Sequence, residues 1–157
     1  MASFVNAADV IASAVEIERR GHKFYQQAEQ AAAGKEAKEF FAFMAGEELK
    51  HEKLFASMLE RVGGLELPTG STDQEYLAYV EATLDSHMLF TIGGIPANLD
   101  GRDPFIAALG FEKDTIVYFL AMLDLLPESE QHHVVQCIDE EKRHIVLIHN
   151  KRKALKK

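Results

Sequence analysis

The sequence predicts an all-α fold, a bundle of four long helices with one long connection between the second and the third. Three observations predict it. Apolar residues recur at helical spacing through four segments, no stretch alternates with the two-residue period of a strand, and short turns join the segments everywhere but once. At 157 residues the chain is long enough to bury one good core, and residues 1–157 read as a single domain.

The first helix is capped by Asn6 or Asp9 and runs to about Ala33, with Gly34 as its stop. Its inward stripe is Ile11, Ala14, Glu18, Gly21, Tyr25 and Ala28. A second helix extends from about Lys35 to Val62 and ends at Gly63-Gly64, with Phe41, Met44, Glu48, His51, Phe55, Met58 and Val62 inward. The connection covers about 64–103, is punctuated by Gly and Pro, and holds a shorter helical stretch near Asp73 to Met88. It is long enough to carry the chain across the bundle. The third helix starts with Asp103 as cap and Pro104 at its first position, and runs to Leu126; Phe105, Ala108, Glu112, Thr115, Phe119, Met122 and Leu126 share one face. The fourth, from about Ser129 to Lys153, turns Val134, Cys137, Glu141, His144 and Ile148 inward.

Composition is that of a soluble globular protein, 47% hydrophobic and 27% charged, with no apolar run long enough to span a membrane. The amino terminus shows no signal peptide, so cytoplasmic residence is the expectation. The single cysteine, Cys137, makes no internal disulfide and reads as a small buried hydrophobe; one thiol also excludes a Cys-rich iron module. Net charge is −8, and five of the 17 cations lie in a basic carboxy-terminal tail, 151–157. The acidic remainder disfavours nucleic acid and anionic membranes and favours cations. The tail reads as solvated, its cations suiting a helix carboxy terminus.

Two stretches carry the chemistry. Glu-Glu-x-x-His occurs at Glu47–His51 and again at Glu140–His144, 93 residues downstream. Residues three apart share a helix face, so Glu48 projects with His51 and Glu141 with His144. Upstream, Glu18 aligns with Glu112 and Tyr25 with Phe119, at an offset of 94. The chain thus reads as two copies of a helix pair, each giving a lone Glu from one helix and Glu-x-x-His from the next. That is the ligand pattern of a carboxylate-bridged di-metal site in a four-helix bundle.

Each of the six residues interrupts an apolar stripe, where an unpaired carboxylate costs several kcal/mol. Two divalent cations would balance four carboxylates. A buried network of Glu with protonated His is the alternative, but two imidazolium charges leave four carboxylates under-compensated. Carboxylate and imidazole donors suit iron or manganese, whereas structural zinc prefers thiolates. Glu16, Glu47 and Glu140 sit off the stripes, solvated or supporting the ligands. Tyr25 could donate its hydroxyl toward the site, and His22 could hydrogen-bond near it, although core packing and exposure respectively are the simpler readings. His87, in the connection, carries too weak a pattern to use.

With Glu18 followed seven residues later by Tyr25, Glu48-x-x-His51, Glu112 and Glu141-x-x-His144, the chain resembles the rubrerythrin-like branch of the ferritin-like di-iron superfamily over nearly its whole length. The resemblance implies a ferritin-like bundle with two iron ions, manganese or zinc being substitutes. It implies Glu48 and Glu141 as bridging carboxylates, His51 and His144 as ligands to separate metals, and Glu18 and Glu112 as terminal carboxylates. Two features depart from the family's peroxidases: there is no four-cysteine rubredoxin domain, and Thr115 stands where they carry a seventh carboxylate. The activity implied is reduction of peroxide or oxygen by a cytoplasmic homodimer drawing electrons from an external electron-transfer protein. Two other readings stand beside it: a ferroxidase or iron-storage protein, and a metal-binding bundle without catalysis.

Overall fold

A computed structural model of the chain describes residues 6–64, 74–91 and 103–157. Among them are helices and turns, and no β-strand. The long helices are α1 (Ala7–Ala31), α2 (Lys35–Val62), α5 (Pro104–Met122) and α6 (Glu128–Leu155). Two short helices, α3 (Gln74–Asp85) and α4 (Met88–Thr91), lie in the connection between α2 and α5. The fold is an all-α, ferritin-like bundle, as the apolar periodicity predicts. No described helix is long and apolar enough to cross a membrane.

Local sequence sets the helix ends. Asn6 and Asp9 form a reciprocal capping box, Asn6 Oδ1 accepting from the Asp9 amide at 3.0 Å and Asp9 Oδ2 from the Asn6 amide at 3.1 Å. Asp103 caps α5 by accepting from the Phe105 amide at 2.9 Å, with Pro104 at the first helical position. The third helix ends earlier than expected: the α-helix stops at Met122, and Leu123–Leu125 tighten into a 3₁₀ turn before Pro127. Helix α6 runs two residues past the expected Lys153, to Leu155. Arg152 there pairs with Asp103 at 2.8 Å and Lys151 with Glu36 at 2.8 Å, so these cations tie α6 to the starts of α5 and α2. The remainder of the 64–103 crossover expectation lies outside the described residues.

Helices α1 and α2 pack as one hairpin and α5 and α6 as another, while α3 and α4 lie against α5. The core has two apolar halves. One holds Ile11, Ala14, Ile17, Phe55, Met58, Phe119, Met122, Val134, Cys137 and Ile138. The other holds Phe24, Tyr25, Phe41, Met44, Phe105, Phe111 and Ile148. Every long helix passes from one half to the other. At the crossing level each carries its polar residues: Glu18 on α1, Glu48 and His51 on α2, Glu112 and Thr115 on α5, Glu141 and His144 on α6, all buried.

Candidate metal centre

Burial of these side chains follows from their place on the stripes. Glu18 falls between Ala14 and Gly21, Glu48 between Met44 and Phe55, Glu112 between Ala108 and Phe119, and Glu141 between Cys137 and Ile148. Packing the apolar neighbours inward carries the carboxylates with them. All six sequence-predicted residues meet in one polar layer.

They form two overlapping donor sets. Glu18, Glu48, His51 and Glu141 each bring one ligand atom within 4.8 Å of the others, and so do Glu48, Glu112, Glu141 and His144. Glu48 and Glu141 belong to both sets. Glu141 spans the layer: its Oε1 lies 2.8 Å from His51 Nδ1 and its Oε2 lies 2.7 Å from His144 Nδ1. Glu18 Oε2 is 3.6 Å from His51 Nδ1, and Glu112 Oε2 is 3.8 Å from His144 Nδ1. The two imidazoles are nearly parallel, 5.6 Å between centroids.

The outer ring nitrogens face the other glutamates of the paired motifs, each across to the opposite hairpin. Glu140 Oε2 is 2.6 Å from His51 Nε2, and Glu47 Oε2 is 3.8 Å from His144 Nε2. With its Nε2–H held outward by Glu140, His51 turns Nδ1 inward, the orientation a metal-ligating histidine needs. The two sides are unequal. Glu47 bonds Lys50 at 2.5 Å instead of closing on His144, and a cleft of about 320 Å³ opens there, lined by Phe43, Glu47, Lys50, Glu140, Arg143, His144 and Leu147.

Tyr25 donates its hydroxyl to Glu112 Oε1 at 2.5 Å, linking α1 to α5 beside the layer. Burial, reinforced by Glu112 and Glu48, holds its phenol well above 10, so it stays a donor. His22 contacts the Ala45 carbonyl at 2.7 Å, binding α1 to α2 and not a ligand carboxylate. Glu16 pairs with Arg19 and Arg20 on the surface. Cys137 is buried as expected, and burial pushes its thiol up to about 12.

Two contributors escape the sequence patterns. Gly21 leaves room for the layer: a Cβ there would lie 2.7 Å from Glu48 Oε2. Its place on the stripe is visible in the sequence, but the need for an absent side chain is not. His87 is fully buried and contacts Thr115 Oγ1 through Nε2 at 2.9 Å. No periodic signal links residues from a crossover and a bundle helix.

The charge balance without metal is unfavourable for the carboxylates. Burial, with their mutual repulsion, raises the Glu18, Glu48 and Glu112 carboxyls above the ordinary range. Burial also opposes ionisation of Glu141, but the hydrogen bond from His144 and the close His51 imidazole outweigh it and hold that carboxyl low. The histidines move upward: burial disfavours their cations, yet Glu112 and Glu141 bring His144 to about 10, and Glu141 and Glu18 raise His51. Protons therefore occupy positions that divalent cations would fill. Both oxygens of Glu18 and Oε1 of Glu48 are buried without a hydrogen-bond partner, and Glu141 Oε1 faces His51 Nδ1 at 2.8 Å without the geometry of a hydrogen bond. Inward donors left unsatisfied at two overlapping sites are what a pair of bound metal ions would satisfy.

Fold and site together define a class: helical-bundle proteins with a buried carboxylate and imidazole cluster suited to metal. A family model described as Rubrerythrin matches residues 9–87, just over half of the chain, and the chain belongs to that family, within the ferritin-like di-iron superfamily. The match covers Glu18, Tyr25, Glu48 and His51; Glu112, Glu141 and His144 lie beyond it and rest on the internal repeat. Searches of curated proteins and of solved structures returned no match.

Proposed function

We propose that the chain is a di-iron carboxylate oxidoreductase that reduces peroxide or oxygen with electrons from an external protein. The observation carrying this reading is the pair of donor sets sharing Glu48 and Glu141. A shared pair is how two ions are held close enough to act on one small molecule. In this reading Glu18 and His51 complete one metal position, Glu112 and His144 the other. Bound iron supplies the one-electron steps between ferrous and ferric states.

The protein's own part is placement and shielding. Glu140 orients the His51 imidazole, Tyr25 fixes Glu112, and the two apolar halves keep bulk water from the layer. The cleft beside His144 gives a small molecule its approach. With one cysteine, the chain supplies no iron–sulfur relay of its own, hence the external donor. Homodimer formation and cytoplasmic residence belong to the same reading through the family.

Ferrous-iron oxidation is the second reading, and two features favour it. Thr115 leaves a six-ligand set, and the cleft beside His144 also exposes the carboxylates of Glu47 and Glu140, groups that attract cations.

The deciding experiment is metal analysis of protein purified without added metal, with Glu48→Ala and Glu141→Ala in parallel, followed by peroxide and oxygen turnover. About two irons per chain, lost in both variants, with peroxide-dependent oxidation of the ferrous protein, is the expected result. No bound metal after anaerobic ferrous reconstitution overturns the reading. Ferrous uptake with an oxidised iron store in a many-subunit shell selects the second one.

A further inference from the structure

His87 and Thr115 form a buried polar pair that the metal-centre reading leaves unused. His87 is 0% exposed and Thr115 2%. The tautomer of His87 follows from its two contacts. Its Nδ1 receives the Leu89 backbone N–H at 3.2 Å, so Nδ1 is the acceptor and Nε2 carries the proton. Nε2 then donates to Thr115 Oγ1 at 2.9 Å.

Burial, with Arg20 nearby, lowers the His87 pKa to about 4, which keeps the ring neutral and this arrangement in place. The surroundings are firm: Arg20 donates to the Leu89 carbonyl at 3.1 Å and lies 4.1 Å over the Phe90 ring, and the Met88 amide donates to Asp114 at 2.9 Å.

Because Thr115 Oγ1 is occupied as an acceptor, its own proton must go elsewhere, and among the described residues no acceptor takes it. Two cross-helix bonds bracket the residue. Tyr25 of α1 reaches Glu112 of α5, and Tyr118 of α5 reaches the Val10 carbonyl of α1 at 2.9 Å. The helices are therefore antiparallel, and Thr115 lies between the two bonds, on the stretch of α5 that faces α1 between Val10 and Tyr25. Thr115 also shares the buried face of Glu112, one turn along. Both Glu18 carboxylate oxygens, within that stretch of α1, lack a hydrogen-bond partner.

We propose that the Thr115 hydroxyl, oriented by His87, is a hydrogen-bond donor for a small anion entering the centre on its Glu18 side. The ligand class is a compact oxygen or nitrogen anion such as hydroxide, hydroperoxide or azide. The inference rests on the metal-centre reading above and adds a binding subsite to it. Thr115 contacts the anion; His87 is a positioning residue that acts through Thr115.

The test has two independent readouts on the full chain. In metal-free protein, ¹⁵N NMR of the His87 ring should give an unprotonated Nδ1 and a protonated Nε2, and Thr115→Val should move the Nε2 signal. In iron-loaded protein, azide is titrated by its absorption band. Thr115→Val should keep the wild-type iron content yet bind azide about tenfold more weakly, the effect of losing one hydrogen bond to a charged group, while Thr115→Ser restores affinity. Unchanged azide affinity with intact iron overturns the proposal, and so does an Nδ1–H tautomer in the metal-free spectrum. Thr115→Ala replaces Thr115→Val should the latter fail to fold, and the NMR measurement on unmodified protein needs no variant. Failure of wild-type protein to take up iron would overturn the metal-centre reading and the anion subsite with it, whereas loss of the azide effect alone leaves that centre standing.

Discussion

Glu140 reaches across from α6 to His51 of α2, its Oε2 2.6 Å from Nε2, so the first glutamate of one repeat braces the histidine of the other. The contact fixes which ring nitrogen looks inward and raises its basicity as a ligand. Glu140→Ala should weaken metal binding about 10-fold to 100-fold without loss of helix. Competitive titration against a chelator, with circular dichroism alongside, checks this; full affinity in the variant would show that the brace does not support the site.

Gly21 separates stability from binding. Alanine there should favour the helix by about 0.5–1 kcal/mol on propensity alone. The added methyl, however, would meet Glu48 Oε2 at 2.7 Å, and a flexible carboxylate end moves aside readily. Gly21→Ala is therefore expected to fold with metal-free stability near or above wild type and to hold less metal. A variant with wild-type metal content would show that Glu48 does not need the space.

Tyr25→Phe removes the donor from Glu112 and leaves a buried oxygen without its partner. The expected loss is about 1–3 kcal/mol in denaturant unfolding of the metal-free protein. An unchanged midpoint would mean that Glu112 finds another donor.

Metal and protons compete for the same groups. His144 holds its proton more tightly when folded, its pKa standing at about 10 against an ordinary 6.5. The stability it contributes is thus fully present below pH 6.5 and lost as pH rises through about 10. Glu18, Glu48 and Glu112 shift in the same sense, and Glu141 opposes them. Metal-free protein should melt at progressively lower temperature across that window, while the stabilisation from added ferrous iron under anaerobic conditions grows, because binding displaces protons. Melting curves at several pH values, with chelator or metal, test it; a metal-free melting temperature that rises with pH contradicts it.

The bundle was legible because its helices carry their instructions locally. Every residue assigned to the four stripes, from Ile11 to Ile148, is buried. The six carboxylates and imidazoles were legible for a related reason: each breaks an apolar period at a matching place in two repeats. What stayed hidden depends on proximity between distant segments. His87 gains its role from Thr115, 28 residues away, across a connection with no repeat. The partner of Glu140 sits 89 residues upstream. The basic residues after Asn150 gave a charge count but not the Asp103 and Glu36 carboxylates that hold them to the bundle.

The polar layer between two apolar halves also acts as a registration mark. Leucine-like and aromatic faces tolerate sliding, since one greasy contact substitutes for another at small cost. A helix here that slipped by one turn, about 5.4 Å, would drag a carboxylate into hydrocarbon and leave its counterparts facing a methyl or a ring. Of the many alignments four amphipathic helices could adopt, only one brings all the charges to a single level. The same residues that would hold metal thereby select that alignment, so chemistry and topology are encoded at the same positions.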